Sequence, residues 1–193
     1  MQNDRLVSQL EFLREIDQLK SIIRQSPLLD QSRKENSAEH SWHLAMYAMI
    51  LADYAIEPVD ILHVIQMLLI HDIIEIDAGD TPIHSKTDGS QAERERNASI
   101  RIFGLLSGEQ GENLRTLWEE FEAGVTNDAR FAKAIDRFQP LLTNIFTNGG
   151  TWAENQVSQD QVVNRYRPVI QSGSPELWNL SEEWISRYFG PVE

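Results

Sequence analysis

Apolar residues return every three to four positions along nearly the whole chain, and nowhere do they alternate with polar ones for long enough to make a half-buried strand. Leu6, Leu10, Leu13, Ile16, Leu19 and Ile23 trace one face of a first helix. Ser26-Pro27 ends it, because proline has neither the N–H nor the room to continue. A second helix follows Ser37-Ala38-Glu39. Its apolar members Trp42, Leu44, Ala45, Met46, Ala48, Met49, Leu51 and Ala52 cover most of the circumference, which predicts a central position. A third helix starts near Pro58 and runs to about Ile76 before the turn residues Ala78-Gly79-Asp80-Thr81-Pro82 and Asp88-Gly89 interrupt the pattern. The pattern resumes from Gln91 through Leu106 and again from Gly111 to Ala123. After the cap Asn127-Asp128 it continues along Phe131, Ile135, Phe138, Leu141, Leu142 and Ile145, closing at Asn148-Gly149-Gly150. Two more helices are predicted over about 154–170 and 175–189. The expected fold class is all-α.

Composition restricts the chemistry. The 193 residues include no cysteine, so disulfides and thiolate metal sites are excluded and any metal must be held by histidine nitrogen and carboxylate oxygen. With 17 Lys+Arg against 30 Asp+Glu, the net charge of -13 repels a nucleic acid polymer and leaves a small phosphorylated ligand as the expected partner. The N-terminus lacks the basic flank and apolar stretch of a signal peptide, and every long apolar run is interrupted by polar residues. A cytoplasmic protein without membrane association is expected.

One segment departs from the packing logic. Leu62, Val64, Ile65, Met67, Leu68, Leu69 and Ile70 lead into His71-Asp72-Ile73-Ile74-Glu75, so a buried helix delivers an imidazole and two carboxylates to a place where charge must be compensated. A cation is the natural compensation. The segments Glu35 to His43 and Lys133 to Arg137 supply further metal-competent side chains. Two imidazoles with two carboxylates suit Mn, Fe, Co, Ni or Zn better than Ca, and leave positions open to water or substrate oxygen, as a catalytic site requires.

The order of these residues carries a resemblance. Glu39-His40 near the start of the second helix, His71-Asp72 at the end of the third and Asp136 on a later helix resemble the signature of the HD superfamily of metal-dependent phosphohydrolases. The branch most similar contains the bacterial 5'-deoxynucleotidases and their eukaryotic HD-domain-containing relatives. Their Arg-x-Glu-Asn/Ser-x-x-Glu/Asp-His stretch is matched by Arg33-Lys34-Glu35-Asn36-Ser37-Ala38-Glu39-His40, and His71 to Glu75 is followed, as in that branch, by Gly79-Asp80 and a proline.

The resemblance implies a helical bundle of the HD type making one domain over 1–193, with a metal-binding core over about 13–142 and C-terminal helices over 151–193. It implies His40, His71, Asp72 and Asp136 as ligands of one divalent metal ion (Mn, Co, Zn, Fe or Mg), and in some relatives a second ion near the residues matching Glu75 and Asp80. Glu75, together with Asp72, is the implied catalytic group, and Asp80 a substrate contact. Arg33, with its planar fork of donors, is the candidate phosphate ligand. The implied activity is phosphate-monoester hydrolysis, on a (deoxy)nucleoside 5'-monophosphate above all, by a homodimer. One departure stands out. An Arg-Trp pair before a proline helps those nucleotidases hold substrate, whereas this chain has Arg24-Gln25-Ser26-Pro27. The missing tryptophan keeps open an alternative, a non-catalytic metal- and nucleotide-binding regulatory module.

The remaining chemistry-bearing residues have plainer readings. His43 lies one turn after Glu39 and is expected to pair with it. His63 is expected to be buried or capping, and His84 to sit in a solvated loop. Trp118, Trp152, Trp178 and Trp184 are expected to fill the core or an interface, and Trp42 to pack inside, with contact to a nucleobase as its alternative. No motif is visible after Asn148.

Overall fold

The computed structural model describes residues 2–80 and 90–190, so the expectation for His84 lies outside the described residues. Helix α1 (Gln2–Ile16) ends in a 3-10 turn (Asp17–Ser21), after which the chain straightens into β1 (Ile23–Pro27) and returns as β2 (Lys34–Asn36). The two form an antiparallel ribbon pairing Ile23 with Asn36 and Pro27 with Lys34. Its reversal is closed by Leu28 N donating to Arg33 O at 2.9 Å and takes Gln31 through a φ of 57°. The first helix therefore ends eleven residues before Pro27, the proline expected to stop it. Strands of five and three residues are too short for alternation to register in the sequence.

Helix α2 (Ser37–Leu51) packs on α3 (Ile61–Ile70). Beyond Ile70 the chain tightens: Ile73 N bonds Ile70 O at 3.1 Å and Glu75 N bonds Asp72 O at 2.9 Å, and α4 (Glu75–Ala78) follows. What the periodicity joins into one helix is thus a ten-residue helix, a tight turn carrying His71 and Asp72, and one more helical turn. The chain continues as α5 (Gln91–Phe103), α6 (Glu109–Ala123), α7 (Asn127–Phe146), α8 (Gly150–Glu154), α9 (Gln159–Gly173) and α10 (Pro175–Phe189).

The central position belongs to α7, not to α2. Phe131, Ala132, Ile135, Asp136, Phe138, Gln139 and Leu141 bury most of its circumference against α2, α3, α6, α9 and α10. Helix α2 buries Leu44, Ala45 and Ala48 together with the polar Ser37, His40 and Ser41, and turns Trp42 (63% exposed), Met49 and Ile50 (72%) outward. Trp118, Trp152 and Trp178 are buried as expected, while Trp184 is half-buried on α10. The passage from α7 to α8 needs glycine: Gly149 has a φ of 104°, and a Cβ there would collide with the Tyr188 hydroxyl of α10. Among the described residues no helix is long and apolar enough to cross a membrane.

Candidate metal centre and active site

Each arm of the site is fixed by local chemistry. Helix α2 begins with a capping box, in which Asn36 Oδ1 accepts from Glu39 N at 3.0 Å and Glu39 Oε2 accepts from Asn36 N at 3.3 Å. Arg33 clasps the same Glu39 carboxylate with both terminal nitrogens, at 2.8 and 2.6 Å. Much of the Arg33 to His40 motif is therefore scaffolding that sets where the helix starts. His40, one residue after the cap pair, is wholly buried and faces α7.

His71 closes α3, where the last carbonyls lack intrahelical partners. Its Nδ1 lies 2.9 Å from Leu68 O; a carbonyl only accepts, so Nδ1 donates and Nε2 points the other way. The Phe121 ring, its centroid 5.0 Å away, packs against this imidazole. Asp136 reaches in from α7. Its Oδ1 stands 3.1 Å from His40 Nε2 and 3.6 Å from His71 Nε2, and Asp72 Oδ1 is 3.0 Å from His71 Nε2. The two imidazole centroids are 5.7 Å apart, and His40, His71 and Asp72 each offer a ligand atom within 4.8 Å of the others'.

These residues fit a divalent metal. His71 Nε2 is fully buried and completes no hydrogen bond although two carboxylates face it; against the burial, Asp72 and Asp136 push the imidazole up to about 10, so a bound cation would take the place of a proton there. The donor set is two nitrogens and two oxygens, as suits a first-row transition ion. Asp72 is held down to about 2: burial works against its charge, but His71 and then Arg24 outweigh it. Asp136 also lies well below the usual carboxylate range, with burial opposed by Arg137, His40 and His71.

Arg24 is the residue the sequence reading undervalued. It sits on β1, and the ribbon turns it into the acidic cluster, with Nη1 2.6 Å from Asp72 Oδ2 and 3.8 Å from Glu75 Oε1. Burial disfavours its charge, but Asp72, Glu75, Asp136 and Asp80 more than compensate. Glu75 accepts from Ser37 Oγ at 2.7 Å and hydrogen-bonds Asp80, so these two predicted site residues do meet. Burial, with the Asp72 charge beside it, pushes the Glu75 carboxyl up to about 8, and burial also raises Asp80. Arg33 is not brought to the site; it is spent on Glu39 at the surface, outside the cavity lining.

The cluster forms one side of a cavity of about 1110 Å³. Arg24, Asp72, Glu75, Asp80 and Asp136 line it, with Lys133 and Arg137 beside them. The lining is completed from the region without a recognisable motif by Asn155 and Gln156 at the α8–α9 junction and Asn164 and Arg165 within α9, together with Gln25 and Ser26 of β1, against which α8 packs. Gln156 is held at a φ of 53°, unusual for a side-chain-bearing residue. Isolated amides have no spacing signature, so nothing in the sequence marked them.

The other candidates lie elsewhere. His43 stacks with Trp42 and meets Tyr47 edge-on instead of pairing with Glu39, which Arg33 occupies. His63 is half-exposed, 2.8 Å from Glu120 Oε2. Trp42 lies on the surface, not in the core.

Comparison with known proteins agrees with this geometry. A family model described as HD domain matches residues 16–178. A protein named 5'-deoxynucleotidase HDDC2 from Dictyostelium discoideum is 34% identical over 114 residues, covering 56% of this chain and 60% of that one. The human protein of that name is 29% identical over 137 residues, covering 70% and 66%. The chain thus spans 60% and 66% of the length of these two relatives. A solved structure from Magnetospirillum magnetotacticum, described as a predicted metal-dependent phosphohydrolase, superposes with a TM-score of 0.92 at 49% identity over 97% of both chains.

Proposed function

We propose that this chain, which belongs to the HD-domain family, is a divalent-metal-dependent phosphohydrolase that cleaves a phosphate monoester, with (deoxy)nucleoside 5'-monophosphates as its substrate class. The observation that carries the reading is the convergence of His40, His71, Asp72 and Asp136 beside Arg24 and Glu75 at the side of one large cavity. The relatives named 5'-deoxynucleotidase support the substrate class.

His40, His71, Asp72 and Asp136 would hold one ion. When bound, it supplies the Lewis acidity that activates water and polarises the phosphoryl group. Arg24 binds the phosphate: it is charged and already turned toward the cluster. Glu75 keeps a proton on its carboxyl at neutral pH and is the group that hands it to the leaving ribose oxygen, with Asp80 as its hydrogen-bond partner and a substrate contact. Asn164, Arg165 and Gln156 receive the sugar and base by hydrogen bonds, in place of the tryptophan that is missing after Arg24.

Phosphate release from a panel of nucleoside monophosphates, measured with Mn, Co, Zn and Mg, tests the proposal. Turnover with at least one metal is expected, and Asp72→Ala should abolish it. Nucleotide binding without turnover under every metal would replace the hydrolase by a binding module.

We also propose a homodimer through a second, apolar groove of about 590 Å³ on the outer side of α2 and α10, lined by Met46, Ile50, Tyr54, Leu180 and Trp184. Exposed apolar surface of this kind is what a second copy would cover.

A further inference from the structure

We propose that the buried Glu35 is the positioning residue that prepares both His40 as a metal ligand and Arg24 as a phosphate contact, an inference that rests on the function proposed above. Glu35 lies on β2 and is 4% exposed. A carboxylate at that depth is costly unless partners offset its desolvation. Three groups face it. Gln139 Nε2 is 3.5 Å from Oε1, while His40 Nδ1 at 3.4 Å and Arg24 Nε at 4.0 Å approach Oε2.

The chemistry of these partners gives the direction of cause. An ionised carboxylate only accepts, so Gln139 turns its NH2 toward Glu35. The same NH2 lies 3.2 Å from Thr143 Oγ1, whose own proton goes to Gln139 O at 3.2 Å. With its NH2 so committed, Gln139 presents Oε1 to His40, 3.1 Å from Nδ1. Nδ1 then faces two acceptors, Gln139 Oε1 and Glu35 Oε2, and in the neutral ring it carries the proton. That leaves the Nε2 lone pair on the inner side, toward Asp136 Oδ1. His71 obtains the same polarity from the Leu68 carbonyl; His40, inside α2, obtains it from a carboxylate acting directly and through an amide. Helix α7 carries Asp136 and Gln139 one turn apart, so one rigid element sets the ligand and the group that orients its neighbour.

Glu35 also faces the Nε edge of the Arg24 guanidinium, 4.0 Å away. The Nη edge is thereby left to Asp72 and the cavity. Arg24 Nε and Glu35 Oε2 are both fully buried and complete no hydrogen bond, so their attraction is that of an ion pair at 4.0 Å, with His40 Nδ1 on the same oxygen's other side.

The experiment measures Co2+ affinity of the full chain by competition with a chromogenic chelator, alongside kinetics on a nucleoside monophosphate at saturating Co2+. Glu35→Gln is expected to weaken Co2+ binding about 10–100-fold and to raise KM more than it lowers kcat. Gln139→Leu, close in volume, is expected to show the metal defect with KM unchanged. Because the two act in series on one imidazole, the double variant should lose little more Co2+ affinity than Glu35→Gln alone. Wild-type Co2+ affinity in Glu35→Gln, or fully additive losses in the double variant, overturns the inference while the proposed function survives. A wild-type chain that takes up no Co2+ removes both. Should Glu35→Gln fail to fold, Gln139→Leu decides the metal arm, and unchanged Co2+ affinity there overturns it.

Discussion

Glu75 and Arg24 show how far single side chains here are displaced from their ordinary chemistry. The Glu75 carboxyl releases its proton at about 8 in the folded protein, because burial and the Asp72 charge disfavour its anion, against 4.5 ordinarily. Between those values the folded state binds more protons than the unfolded one, so this group makes stability fall as pH rises. In the metal-free protein, Glu75→Gln should melt with the wild type near pH 4.5 and above it beyond pH 8. A melting difference independent of pH would reject the assignment. The two arginines should separate cleanly. Arg24→Ala is expected to raise KM for a monophosphate by about tenfold or more, the roughly 1.4 kcal/mol or greater of one charge-assisted contact. Arg33→Ala, which removes the clasp on Glu39 and a bond to the Lys34 carbonyl, should leave KM within about twofold and lower the melting temperature instead. Of these residues, His71 and Asp72 were legible because they end an apolar run where packing alone has no use for charge. Arg24 was not, since its arrival depends on a ribbon that reverses the chain over ten residues.

At the level of elements, the position of His40 depends on where α2 begins. Asn36→Ala breaks one half of the capping box and should cost about 1 kcal/mol of stability, read by denaturant midpoint. Because the helix start also registers His40, Co2+ affinity should fall with it, whereas Ser158→Ala, which breaks the equivalent box on α9, should leave Co2+ affinity unchanged. The helices themselves were readable from periodicity, since amphipathic stripes of Leu, Ile and Phe survive at the spacing of a buried face. Their ends were less so. Two short strands, and the break between α8 and α9 at Asn155–Ser158, are made by turn geometry and capping, which leave only one or two residues of signal each. The apolar circumference of α2 pointed to the wrong centre, because an outward face with no neighbour within the chain has the same composition as a buried one.

Across the molecule, α2 and α7 each look both ways. Their inner faces carry His40, Asp136 and Gln139, while Met46 and Ile50 on the outer face of α2 and the buried Phe138 of α7 line the apolar groove. If a second copy covers that groove, Ile50→Asp should shift the protein from dimer to monomer in sedimentation, with Co2+ affinity retained. A dimer unaffected by that change would place the interface elsewhere. The lining of the large cavity also comes from different parts of the chain. Everything that would grip the ion and the phosphate precedes Asn144, while Asn155, Gln156, Asn164 and Arg165 of the lining come from the stretch after it. Cutting power and choice of what is cut are thus written in separable passages of one polypeptide. Exchanging 155–165 for the corresponding piece of a relative would then retune taste without blunting the blade.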